Sequence, residues 1–148
     1  MTDYTDIKSQ LTALISGVPH KVANLANAAS LLYGSIDEIN WAGFYLMENG
    51  KLVLGPFGGK PACIEIAVGK GVCGSAVADN ETKLVPDVHE FPGHIACDPQ
   101  SNSEIVIPLR RGGEIIGVLD IDSASLGRFD HHDKAELEEI AAIIENNI

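Results

Sequence analysis

The sequence predicts an α+β fold: a central antiparallel sheet of about six strands with helices packed on one face. Three observations carry this. Helical periodicity is concentrated at the two ends of the chain, with only one short helical stretch between them. The middle reads as short apolar or alternating runs bounded by Gly, Pro and Asn, which is strand patterning. Two pairs of these runs are joined by tight-turn sequences, Glu48-Asn49-Gly50-Lys51 and Arg110-Arg111-Gly112-Gly113, so neighbouring strands run antiparallel.

In chain order, Ile7, Leu11, Leu14 and Ile15 fall on one face of a first helix, about 3–16, opened by Thr2 or Asp3. After Gly17 and Pro19, the residues Val22, Leu25, Ala26, Ala29 and Leu32 repeat the pattern over about 19–33, until Gly34 stops it. Residues 39–57 read as a β-hairpin, with Trp41, Gly43 and Tyr45 on one face of its first strand. Further strands fit ACIEIAV, KLVPDV, SEIVIPL and EIIGVLDID, with a short helix in GVCGSAVADN between the first two. Asp130 is placed to cap a last helix, about 130–147, whose apolar stripe is Leu137, Ile140, Ala141 and Ile144. With no repeat and no low-complexity linker, residues 1–148 are expected to form one domain.

Composition removes several function classes. A formal charge of -11, with the ten Lys and Arg scattered, repels a phosphate backbone, so nucleic acid is not an expected partner. Apolar runs are only a few residues long, and the first residues, MTDYTDIKSQ, contain neither a basic nor an apolar region. No membrane span or signal peptide is expected, and the expected location is the cytoplasm. Three cysteines, an odd number in a reducing compartment, do not suit a static disulfide framework; catalysis, metal binding or simple burial remain.

Four candidate sites follow. GKGVCG at 69–74 satisfies G-x-G-x-x-G, but the next strand begins at Lys83 and leaves no room for a dinucleotide-binding crossover, so a strand-to-helix turn is expected. Cys63, Cys73, Cys97, His89 and His94 lack any C-x-x-C pair, and no structural metal is expected from them. His131 and His132 open an acidic helix, where solvated side chains are the expectation. Asp120 and Asp122, two apart on GVLDID, point to one face, either at a strand end in water or facing a cation or proton that offsets their repulsion. If Glu104 and the aromatic pair Trp41 and Tyr45 join them, the result is an acidic pocket with an aromatic wall, suited to an ammonium group on a small apolar body.

INWAGFYL, PFGGKPACIEI, GKGVCGSA, FPGHIACDPQSNSEIVIPL and GVLDIDS, in that order over roughly residues 20–147, closely resemble the free methionine-(R)-sulfoxide reductases, stand-alone GAF-domain enzymes. The resemblance implies a GAF fold with the ligand pocket on the sheet face opposite the helices, closed by a lid loop at about 89–103. It implies reduction of the free amino acid methionine-(R)-sulfoxide without a metal or organic cofactor, with electrons from thioredoxin and ultimately NADPH. Carried over by motif, Cys97 resembles the nucleophile, Cys63 the main resolving thiol and Cys73 an auxiliary one. Trp41 and Tyr45 resemble the wall for the substrate methyl, while Glu104, Asp120 and Asp122 match the acidic trio. His94, with the backbone of Ile95 and Ala96, is expected to support the nucleophile. The family also suggests a homodimer, for which no stripe in the sequence marks an interface. The alternative reading is a GAF domain that binds a small ligand as a sensor without chemistry.

Overall fold

The computed structural model describes residues 1–95 and 97–148. Its elements follow the expected order: α1 (Tyr4–Ile15), α2 (Lys21–Ser35), β1 (Trp41–Glu48), β2 (Lys51–Gly59), β3 (Glu65–Ala67), α3 (Gly71–Asp79), β4 (Lys83–Val85), β5 (Ser103–Arg111), β6 (Glu114–Ser123) and α4 (His131–Glu145). A single turn of 3-10 helix, Val88–Glu90, follows β4. The six strands form one antiparallel sheet in the order β3-β2-β1-β6-β5-β4.

Local chemistry accounts for the boundaries. The Asp3 carboxylate accepts the Asp6 N–H and starts α1. Asp130 and Asp133 form a reciprocal capping box at the start of α4. Asn49 and Gly50, with φ of 53° and 79°, turn β1 into β2 with the left-handed pair that a two-residue hairpin requires. The G-x-G-x-x-G segment is the strand-to-helix turn that its spacing implied. Gly69 and Gly71 take positive φ, and a Cβ on Gly74 would strike the Ala67 carbonyl.

The alternation of β-strand side chains divides the core between the two sheet faces. Phe44, Ile105, Ile107, Leu119 and Ile121 point to one face and pack with Ile7, Leu11, Leu25, Leu32, Leu137 and Ile140 of α1, α2 and α4. Trp41, Tyr45, Val106 and Val118 point to the other, where they meet Val72, Cys73 and Ala76 of α3.

Some expectations need correction. Helices do not all lie on one face, because α3 packs on the face opposite the other three. ACIEIAV and KLVPDV contribute only three residues each to the sheet, and Cys63 lies before β3 rather than in it. Leu14 and Val22 are exposed and Ala26 is turned to solvent. The buried face of α2 is Asn24, Leu25, Ala28, Ala29 and Leu32 instead. Asn24 can be buried because its amide donates to the Val18 and Asn147 carbonyls, joining α2 to the end of the chain. α2 also runs past Gly34 to Ser35. Among the described residues no helix is long and apolar enough to cross a membrane.

Candidate functional site

Strand register assembles the site. Trp41 of β1 pairs with Asp122 of β6, and Asp122 pairs with Glu104 of β5, so these three stand side by side across the sheet. One step along, Asp120 lies between Gly43 and Val106. Directly opposed residues on one face bring their Cβ atoms to about 5 Å, so three carboxyl groups from two adjacent strands share one small region. Glu104 and Asp120 are not at a solvated strand end, being only 7% and 5% exposed, and Asp122 is half-buried.

Over these acids lies a cavity enclosing about 50 Å³. Trp41 and Tyr45 form its aromatic side, with ring centroids 6.0 Å apart, and Phe57 stacks on Trp41 at 5.2 Å. Cys73 enters from the first turns of α3. His94, Ile95, Cys97, Asp98 and Ser101, from the segment between the 3-10 turn and β5, line it from above. Cys97 is joined by a disulfide to Cys63, with Cα atoms 5.5 Å apart, while Cys73 is free and buried. Cys97 and Cys63 are thus brought together, as are Trp41, Tyr45, Glu104, Asp120 and Asp122. Ile95 packs against Gly71, so the segment rests on α3. Ala96 lies outside the described residues. His131 and His132 are exposed and far in sequence from this segment, as solvated helix residues.

Burial governs the electrostatics. Glu104 is pushed well above the usual carboxylate range, first by burial and then by the charges of Asp120 and Asp122. Asp122 is raised likewise by burial and Asp120. Asp120 is raised by burial too, but hydrogen bonds with Glu104, Cys73 and Asp122 oppose the rise and favour its ionised form. All three acids are therefore shifted toward the protonated form, with the most opposition from neighbours at Asp120. Burial and the nearby acids raise the Cys73 thiol well above its ordinary value, and they raise the Tyr45 hydroxyl as well. His94 is lowered, chiefly by burial and then by His89, so near neutral pH it is an uncharged imidazole rather than a cation beside Cys97. Cys73 Sγ and one oxygen each of Glu104 and Asp120 lie within 4.8 Å of one another, the one group among the described residues able to converge on a metal ion.

Comparison with known proteins agrees with this geometry. A family model described as GAF domain matches residues 23–148. The free methionine-R-sulfoxide reductase of Escherichia coli (strain K12) is 54% identical over 142 residues, covering 96% of this chain and 86% of that protein. The chain belongs to the free methionine-R-sulfoxide reductase family of GAF domains. Among solved structures of this family, fRMsr of Staphylococcus aureus in its reduced form has a TM-score of 0.97 at 52% identity, covering 99% of this chain and 96% of that one. The same protein in complex with substrate gives a TM-score of 0.95 at the same identity and coverage. The Neisseria meningitidis free methionine-R-sulfoxide reductase, in complex with its substrate, gives 0.94 at 44% identity over 97% of this chain and 87% of its own.

Several residues of this reductase-family site escaped the sequence reading. The Trp41 indole N–H donates to the Lys60 carbonyl at 3.0 Å, and the Tyr45 hydroxyl donates to the Cys63 carbonyl at 2.8 Å. The aromatic wall therefore also holds the segment that carries Cys63. Asn40 donates from its side chain to Asp98 at 3.3 Å and to Ser101 at 3.2 Å, anchoring the segment that carries Cys97. Asp98 in turn accepts the Gln100 N–H in a local turn. The Asp98-Pro99 pair was a visible turn signal; Asn40, an ordinary residue before a strand, offered none.

Proposed function

We propose that the chain reduces free L-methionine-(R)-sulfoxide to methionine by thiol chemistry, acting as one GAF domain over residues 1–148. The observation that carries this is the Cys63–Cys97 disulfide at a cavity with an acidic floor and an aromatic wall. The substrate is small, zwitterionic and amphipathic. Its ammonium meets Asp120, its methyl meets Trp41 and Tyr45, and its sulfoxide oxygen faces Glu104 and Asp122. Burial raises all three acids, with neighbours opposing the rise most at Asp120, and this supports the division.

The Cys97 thiolate attacks the sulfoxide sulfur while a carboxylic acid protonates the oxygen, because an unprotonated oxygen is a poor group to transfer. Oxygen passes to the cysteine, giving methionine and Cys97 sulfenic acid. The Cys63 thiol then condenses with the sulfenic acid, releasing water and forming the disulfide. Arrival of the ammonium neutralises part of the acidic field and lets Cys97 ionise, with neutral His94 available to take its proton. Cys73, with its raised thiol, serves as a substitute resolving group. A dithiol of the thioredoxin class, charged ultimately from NADPH, reduces the disulfide in the cytoplasm. The cycle needs no resident metal or organic cofactor, and the protein works as a homodimer.

One coupled assay tests the reading. NADPH consumption with thioredoxin, its reductase and free methionine-(R)-sulfoxide is expected to depend on both the substrate and this protein. Consumption at background, with the three thiols reduced at the start, would leave a ligand-binding sensor as the better account.

A further inference from the structure

The cavity that would take the substrate also carries an arrangement suited to a metal ion. Cys73 of α3, Glu104 of β5 and Asp120 of β6 present one sulfur and two carboxylate oxygens, all buried and within 4.8 Å of one another. Asp120 Oδ1 is buried without a hydrogen-bond partner on a side chain that lines the cavity. No lysine or arginine is among the described residues lining that cavity, so nothing cationic from the protein answers these acids. A buried acceptor without a donor is costly and marks a place where a ligand belongs.

We propose that this pocket binds one zinc-like divalent cation through Cys73 Sγ and one oxygen each of Glu104 and Asp120, with water in the fourth position, and that the bound cation excludes the amino-acid substrate. Ligand type selects the metal. Calcium and magnesium ask for six or more oxygens, whereas a thiolate with two carboxylates suits a four-coordinate, borderline-soft ion. Zinc sits about 2.3 Å from sulfur and about 2.0–2.2 Å from oxygen. Around a tetrahedral ion such ligand atoms stand about 3.4–3.6 Å apart, inside the 4.8 Å within which these three lie, so the side chains would have room to close on it. The cavity of about 50 Å³ exceeds the roughly 10–15 Å³ that one water molecule needs on the same measure, which leaves room for an ion and its water. Asp122, directly across the sheet from Glu104, is the outer partner that would orient that ligand. Cys73 binds as thiolate, its proton leaving to solvent, and no redox change is involved. Because the ion and the substrate ammonium claim the same Asp120 oxygen, each displaces the other.

The site uses neither Cys63 nor Cys97 and is tested in the oxidised protein, where the Cys63–Cys97 disulfide leaves Cys73 as the one free thiol of three cysteines. Cobalt(II) titrated into that form should develop a thiolate-to-metal charge-transfer band and the visible bands of four-coordination, saturating at one equivalent and abolished by zinc. Calorimetric titration with zinc should show Kd rising at least tenfold in Cys73→Ala, Glu104→Gln and Asp120→Asn, and free methionine should weaken the apparent affinity. The two isosteric acid variants keep the test meaningful should Cys73→Ala pack poorly. Absence of the charge-transfer band at stoichiometric cobalt, or zinc isotherms unchanged by Glu104→Gln and Asp120→Asn, overturns the proposal. Reductase activity plays no part in either readout, so the site stands or falls apart from the proposed function.

Discussion

Replacing Cys63 by serine separates the first chemical step from the cycle, and its effect on stability can be worked out beforehand. The disulfide closes a loop of 34 residues. In the chain-entropy account, a cross-link of that span removes about 4 kcal/mol of freedom from the unfolded chain at 25 °C. For a chain of 148 residues each kcal/mol moves Tm by roughly 2–4 °C, so the oxidised wild type should melt about 8–15 °C above Cys63→Ser. Serine is close to isosteric, and the hydrogen bond that Cys63 accepts from Tyr45 uses its backbone carbonyl, so packing changes little besides the lost S–S bond. Differential scanning of both proteins, with and without a reductant, measures the difference; reduced wild type should fall to the variant's Tm. In a quenched reaction the variant should still make one methionine per molecule and then stop, because its Cys97 sulfenic acid lacks the partner that converts it into a reducible disulfide. Equal melting of oxidised wild type and variant, or sustained thioredoxin-driven cycling by the variant, would refute the pairing of these two cysteines in the cycle.

Cys97→Ser should abolish even a single turnover, since serine neither attacks the sulfoxide nor forms a sulfenic acid, while Cys73→Ser should slow cycling only modestly; mass spectrometry after one turnover should find the Cys63–Cys97 bond first. Asp120→Asn is expected mainly to raise KM by removing the counter-charge for the ammonium, whereas Glu104→Gln and Asp122→Asn should lower kcat; all constants within twofold of wild type would sink the acidic-pocket model. N-acetylated methionine sulfoxide should lose more than tenfold in kcat/KM, because without its ammonium the buried Asp120 charge is left unpaired, at a cost of about 2–5 kcal/mol. For pH, Glu104 has a folded value raised above its unfolded one, so the native state binds the extra proton between them. Stability of the substrate-free protein should therefore fall as pH rises from about 4 through the raised value, and Glu104→Gln should flatten that slope in urea titrations.

Much of the fold was legible because it rests on local rules. The period of Leu137, Ile140, Ala141 and Ile144, the Asn49-Gly50 turn and the Asp130 cap each act within a few residues, and all three stand where the sequence put them. Where local and tertiary demands diverge, the sequence misled. Leu14 and Val22 satisfy helical periodicity yet stay exposed, because an apolar stripe states which residues can face a core and not how wide the sheet beneath them is. ACIEIAV reads as a full strand, but as an edge segment it pairs with one neighbour only, and the disulfide and the Tyr45 hydrogen bond hold Cys63 outside the ladder.

For the site, the sequence by itself determined the chemistry: three thiols, three acids and two aromatics in family motifs, with Asp120 and Asp122 on one face by the two-residue period of a strand. It left open whether those acids stood in water or against a ligand, because alternation says nothing about what covers a face. Tertiary structure decided that. The register between β5 and β6 sets Glu104 beside Asp122, and the pairing of β1 with β6 adds Trp41 to the same row. α3 then closes over the face and brings in Cys73, and the segment anchored by Asn40 carries Cys97 to Cys63. Each of these contacts joins residues far apart in the chain, and with them comes the burial that shifts the acids unequally, which only the assembled fold imposes.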